Sequence, residues 1–177
     1  MAELLSSGQV LIAGGETSSP NSPPTQLASA ELFDPSHGRW VFTGSLPAPA
    51  QGIGCLLANG DVLDSFVAFY SAATGTWTSV GAFSISGGST VTLLTTGKAL
   101  YTGFRIFTDR YCRGCSTAQA VLYDFATNSY AFTGSLIGPR YADAAVLLPN
   151  GQVLVSGGID QSQSGIQCLS SAELYTP

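Results

Sequence analysis

Apolar residues in this chain fall in short runs broken by Gly, Asn, Pro, Ser and Thr. The clearest case is Leu147-Leu148-Pro149-Asn150-Gly151-Gln152-Val153-Leu154-Val155-Ser156-Gly157-Gly158. It reads as a strand, an Asn-Gly turn, a second strand and a glycine pair. Asn-Gly between apolar runs predicts a two-residue hairpin turn, in which both turn positions take positive φ. Leu4-Leu5-Ser6-Ser7-Gly8-Gln9-Val10-Leu11-Ile12-Ala13-Gly14-Gly15 is nearly a copy. Leu56 to Leu63 around Asn59-Gly60, and Leu93 to Leu100 around Gly97, are worn copies. Recurrence of one unit along a chain is the signature of a repeat architecture.

Aromatic positions extend the unit. A third strand follows each hairpin: Ser29-Ala30-Glu31-Leu32-Phe33, Phe66-Val67-Ala68-Phe69-Tyr70, Gln119-Ala120-Val121-Leu122-Tyr123 and Ser171-Ala172-Glu173-Leu174-Tyr175. A fourth strand carries Trp40, Trp77 or Tyr130, each seven residues after Phe33, Tyr70 or Tyr123. The spacing from third-strand aromatic to the next hairpin glycine is also nearly constant. Only the connection between second and third strands varies widely, being short at Asp64–Phe66 and long elsewhere. Constant spacing marks packed scaffold, and variable spacing marks loops that tolerate insertion and carry function. Strand direction alternates, so these variable loops emerge on one face.

Four-stranded units at a period of about 48 residues predict the blades of a β-propeller. The expectation is an all-β fold in one domain over 1–177, with blades at 1–46, 47–83, 84–136 and 137–177. First strands such as Ala144 to Leu148 are expected to line the centre. Trp40, Trp77 and Tyr130 are expected to fill the gaps between blades as buried core. Met1–Leu5 already serves as the first strand of blade 1. The chain stops at Pro177, straight after a third strand, so the fourth blade is expected to lack its outer strand. The four blades would then close as a small ring, belong to a longer propeller, or form a homodimer that completes a larger, eight-bladed ring.

Composition narrows the functional classes. Only 10% of residues are charged and 45% are hydrophobic, which argues for extensive sheet burial rather than disorder. The net charge of −5 lacks the basic footprint of nucleic-acid binding. No apolar run approaches the roughly 20 residues of a membrane-spanning helix. Met1-Ala2-Glu3 does not start a secretion signal, so the expectation is a cytoplasmic chain or a processed precursor. The low Lys content and richness in Ser, Thr and Gly lean extracellular, and localisation stays unknown.

The glycine pairs Gly14-Gly15 and Gly157-Gly158, each followed by a third-strand Phe or Tyr, together with the fourth-strand Trp, resemble the kelch repeat. The resemblance covers essentially the whole chain. It is similar in style to bacterial kelch proteins and to the central propeller of galactose-oxidase-like proteins, as in Pro139-Arg140-Tyr141 and Ser171 to Tyr175. Asp64-Ser65 and Thr102-Gly103 replace the glycine pair in the middle units. The family usually has five to seven blades, and four starts are present here. The resemblance also implies what this chain lacks. Galactose-oxidase-like enzymes bind copper through histidines and tyrosines, and His37, in a turn on the opposite face, is the sole histidine. No metal or other cofactor is therefore expected, nor a Ser–His or Cys–His nucleophile on the loop face.

Other candidate chemistry lies in the blade-three and blade-four loops. Arg105, Asp109, Arg110, Tyr111 and Arg113 fall in the former, and Arg140, Tyr141 and Asp160 on the same face beside the latter. Arg and Tyr are enriched at binding hot spots, and Arg forks read carboxylates. These residues form the candidate ligand surface, with Arg110→Ala or Arg140→Ala expected to weaken binding without unfolding. Asp143, together with Asp160, is placed to approach a ligand at the channel mouth. Glu31 and Glu173 occupy matching repeat positions and read as scaffold. Asp34 and Asp124 read as turn caps. Cys55 reads as core. Cys112, Cys115 and Cys168 are disulfide candidates, as Cys112–Cys115 or as Cys168 with either. The favoured function is a non-catalytic module binding a protein or carbohydrate ligand. The alternatives are a fragment of a larger carbohydrate-active or oxidase propeller enzyme, and a self-assembling half-propeller.

Overall fold

The structure is a computed structural model that describes residues 1–19, 22–50, 53–64, 68–79, 90–106 and 114–177. The described residues form strands and turns, with no helix. Two compact units are present, Met1–Ala82 and Phe83–Pro177, each holding two blades.

Blade 1 comprises β1 (Ala2–Leu4), β2 (Val10–Ala13), β5 (Ala30–Asp34) and β6 (Arg39–Thr43), with a hairpin of β3 (Glu16–Ser19) and β4 (Ser22–Gln26) inserted after β2. Blade 2 comprises β7 (Gly54–Leu56), β8 (Val62–Asp64), β9 (Ala68–Ser71) and β10 (Thr76–Ser79). Its second-to-third connection, 65–67, lies outside the described residues. Blade 3 comprises β11 (Thr90–Leu93), β12 (Ala99–Thr102), β15 (Ala120–Asp124) and β16 (Ser129–Thr133), with the insert β13 (Arg105–Ile106) and β14 (Cys115–Ser116). Among the described residues blade 4 has three strands, β17 (Ala144–Leu147), β18 (Val153–Ser156) and β21 (Ala172–Tyr175), with the insert β19 (Ile159–Ser162) and β20 (Gly165–Cys168). Every sheet is an antiparallel meander in chain order, which is the construction of a propeller blade.

The first hairpins differ from expectation. At Leu148–Gln152 three residues, not two, make the turn. Leu148 N donates to Gln152 O at 2.8 Å, Gly151 N donates to Leu148 O at 2.9 Å, and Asn150 Oδ1 accepts from Gln152 N at 3.1 Å. Positive φ falls on Gly151 alone, at 85°. This is a turn closed by one left-handed glycine. Leu5–Gln9, Leu57–Asp61 and Leu94–Lys98 repeat both backbone bonds. The worn copies keep the glycine because the left-handed position is what the turn requires.

Register gives each blade two distinct faces. One carries the aromatics: Leu4–Val10–Phe33–Trp40 in blade 1, Leu56–Val62–Tyr70–Trp77 in blade 2 and Leu147–Val153–Tyr175 in blade 4 are rows of directly opposed residues. The other is leucine-rich: Leu11–Leu32 in blade 1, Leu100–Leu122 in blade 3 and Val146–Leu154–Leu174 in blade 4. Within each unit, the leucine face of one blade packs on the aromatic face of the next. Leu11 and Leu32 join Val62, Tyr70 and Trp77 in one core. Leu100 and Leu122 join Val153, Leu147 and Tyr175 in the other. Both junctions are tied alike. Thr43 Oγ1 meets the Tyr70 hydroxyl at 2.8 Å, and Thr133 Oγ1 meets the Tyr175 hydroxyl at 2.8 Å.

The three fourth-strand aromatics are not equivalent. Each packs on its cross-strand partner, with ring centroids 5.0 Å apart for Phe33–Trp40, 5.2 Å for Tyr70–Trp77 and 4.6 Å for Tyr123–Tyr130. Trp77 is half-buried in the core of its unit. Trp40 is 47% exposed, so it is not the buried filler that its sequence position predicts. On the same face of blade 1, Leu4 is also exposed.

Candidate functional site

The inserted hairpins of blades 3 and 4 stand side by side in the second unit. Arg105 and Ile106 pair with Ser116 and Cys115. Thr117 then bridges to Arg140, and Tyr141 bridges to Ile159, which pairs with Cys168. A narrow ladder thus runs from one insert through the 139–141 connection into the other. Ser116 fastens it by side chain. Its Oγ donates to Asp160 Oδ1 at 2.8 Å and accepts from Gln161 N at 3.0 Å. The Arg105 guanidinium lies over the Tyr141 ring, 4.8 Å from the centroid, a cation–π contact.

Arg105 and Tyr141 are in contact, and Asp160 is held in the same ladder by Ser116. Asp109, Arg110, Tyr111, Cys112 and Arg113 lie outside the described residues. Ser116, which joins the two inserts, escaped the sequence reading because a lone serine in a loop carries no pattern.

Arg140 is placed differently from expectation. It is 1% exposed. Its Nη1 donates to Gly157 O at 3.0 Å and to Ser171 O at 3.3 Å, its Nη2 donates to Ser171 Oγ at 3.2 Å, and Nη2 also forms an ion pair with Glu173. Glu173 accepts in turn from Ile137 N at 2.5 Å and Gly138 N at 3.3 Å. The cation belongs to the interior scaffold of blade 4, not to a solvent-facing surface. The matching positions in blades 1 and 3 leave Glu31 half-buried and place Val121 in the interior.

A cavity of about 250 Å³ adjoins this pair, with Asp160, Leu169 and Ser171 among its lining residues. The first unit repeats it at the equivalent connection, beside Leu46, Ala50, Asp64 and Ala68. Ala50 and Ala68 there occupy the repeat positions of Arg140 and Glu173. An alanine pair and an ion pair thus fill the same slot in two copies of one architecture.

Asp143 lies between blades 3 and 4. Its Oδ2 accepts from Thr102 Oγ1 at 3.1 Å and Thr90 Oγ1 at 3.3 Å, and these hydroxyls meet each other at 2.8 Å. Oδ1 is buried without a partner. Burial pushes the Asp143 carboxyl above the usual range, against the lowering pull of the threonine bonds and Arg140. A Cβ on Gly103 would fall 1.4 Å from Oδ1, and Gly103 has φ +65°, so glycine is required there on both counts. The carboxyl is an interblade tie, enclosed rather than presented to a ligand.

The remaining candidates are simpler. Asp34 and Asp124 cap their turns, accepting from Ser36 N and Ala126 N at 2.9 Å each. Hydrogen bonds from Ser36 and His37 hold the Asp34 carboxyl at about 2. His37 is an exposed turn residue. Cys168 is a free, exposed thiol, so the pairings that use it are not adopted. Among the described residues no group of three or more His, Cys, Asp or Glu side chains is placed to hold a metal ion. No helix there is long and apolar enough to cross a membrane.

These features define an all-β propeller whose distinguishing surface is a pair of inserted hairpins. No protein-family profile and no curated protein matches the chain. Solved structures do match it. One, described as the structure of YjhT, superposes with a TM-score of 0.75 at 12% sequence identity. The match covers 98% of this chain and 67% of that one. Identity at this level speaks for the fold alone.

Proposed function

We propose that the chain is a non-catalytic, kelch-type binding module whose ligand is a protein segment or a glycan. The observation that carries this reading is the contact of Arg105 with Tyr141 in the same ladder as the Ser116–Asp160 bond that joins two hairpins inserted at the same point of successive blades. Insertions at one point of a regular repeat vary without disturbing its core, which is how propeller scaffolds acquire ligand surfaces. Arg110, Tyr111 and Arg113, with Asp109, extend the proposed surface. Arg140 supports it from beneath. The test is binding of the immobilised chain to a glycan array and to a panel of Asp/Glu-rich peptides. Arg105→Ala and Tyr141→Ala should each reduce the signal at least tenfold with the melting temperature unchanged. A chain that retains no probe, or variants that bind as well as the parent, would reject the reading.

The second reading, part of a larger carbohydrate-active or oxidase propeller, is favoured by the 67% span of the structural neighbour. Its test is the size of the native polypeptide on an immunoblot raised against this chain. Cys112–Cys115 pairing in the blade-three insert, and with it an oxidising compartment, also belongs to the proposal. Thiol titration of the denatured, unreduced protein should then count two thiols, Cys55 and Cys168, rather than four.

A further inference from the structure

The cavity of about 250 Å³ in the second unit holds polar groups that the blade scaffold does not use up. Arg140 and Glu173 line it and neutralise each other. Asp160 and Ser171 line it too, and each keeps spare hydrogen-bonding capacity. Asp160 Oδ1 accepts from Ser116 Oγ, and Oδ2 accepts from nothing among the described residues. Ser171 Oγ accepts from Arg140 Nη2 at 3.2 Å, and its own proton has no acceptor there. Arg140 Nε is likewise buried without an acceptor. The apolar part of the lining includes Leu169 and, at the rim, Ile137, which is 94% exposed.

We propose that this cavity is a subsite for one uncharged sugar ring, with a ring hydroxyl donating to Asp160 Oδ2 and accepting from the Ser171 hydroxyl. The inference rests on the reading of the insert face as a binding surface and narrows its ligand to a glycan. Size sets the scale of the occupant. The volume lies just below the roughly 300–1,000 Å³ usual for drug-sized ligands, which suits a single small ring. Chemistry sets the class. A free carboxylate oxygen and a free hydroxyl proton together ask for a group that both donates and accepts, and a hydroxyl does both. An ammonium only donates, so it would leave Ser171 unpaired. A carboxylate would meet Asp160 and Glu173, two like charges against the single cation of Arg140. Leu169 and Ile137 offer apolar surface to the C–H face of a ring.

The test is a ligand-observed NMR titration of the intact chain. The probes are D-glucose and D-galactose, each compared with its uronate and its amino sugar. At least one hexose should bind, and its two charged counterparts should bind at least tenfold more weakly. Asp160→Asn keeps an oxygen for Ser116 and puts a donor where the free acceptor was. Leu169→Trp fills the cavity and leaves every polar group in place. Each should weaken hexose binding at least tenfold with the melting temperature unchanged. A chain that binds neither hexose, that prefers the uronate or the amino sugar, or that binds hexose equally well in both variants would overturn the inference. Retention of acidic peptides through Arg105 and Tyr141 with no hexose binding would overturn it while leaving the insert-face reading standing. Failure of that reading shows instead as a chain that retains neither glycan nor peptide.

Discussion

Arg140 and Glu173 are a buried ion pair whose stability contribution depends on both partners being present. Removing one leaves the other charged and enclosed, which typically costs about 3–5 kcal/mol, whereas replacing both by apolar groups is often neutral. Urea unfolding should therefore show Arg140→Met destabilised by about 3–5 kcal/mol, with most of the loss recovered on adding Glu173→Leu. The Ala50 and Ala68 slot in the first unit is the natural precedent for that double variant. Asp143 makes the opposite kind of statement. Burial raises its folded-state pKa above the unfolded value. Its protonated form is favoured in the fold, so its contribution is fully present below the ordinary carboxylate range and is lost as pH rises through the folded pKa. Asp143→Asn should accordingly compare better with the parent at pH 7 than at pH 4 in thermal melts; the reverse order would refute that sign.

At the level of the element, the repeat positions of Trp40 and Trp77 look identical and their packing does not. Trp77 is held between its own sheet and the neighbouring blade in the first unit. Trp40 packs on Phe33 and is half-exposed. Trp77→Ala should cost about 3–5 kcal/mol, as large-to-small core changes do. Trp40→Ala should cost about 1 kcal/mol, the scale of one exposed aromatic pair. Equal losses in denaturant titrations would mean that Trp40 is as buried as Trp77. The inserts follow similar logic. Their presence was legible as excess length after the second strand, but their form was not. Ser116, Asp160 and Gln161 join two hairpins separated by more than forty residues, and spacing along the chain does not encode such a contact.

For the whole molecule, the balance of charge and apolar surface decides how copies meet. The chain carries a net charge of −5, so like-charge repulsion opposes association at low salt. An association through apolar blade surface would survive charge screening, so any associated mass should persist or increase in 1 M NaCl. Dissociation under those conditions would instead indicate a contact held by ions.

The chain's own pattern was sufficient for the strands, the hairpin glycines and the constant seven-residue step between aromatics. These are local properties, set by turn chemistry and by the two-residue period of a strand. It was also sufficient for the site of insertion and for Asp34 and Asp124 as caps, because a cap reaches only two residues along the backbone. Which face is covered was decided in three dimensions, since burial depends on a neighbour the periodicity does not name. For that reason Trp40 and Trp77 diverge. Arg140 reads as a surface cation beside a proline and is buried, because its partner Glu173 lies thirty-three residues away. Asp143 likewise becomes a tie only where Thr90, Thr102 and Gly103 enclose it.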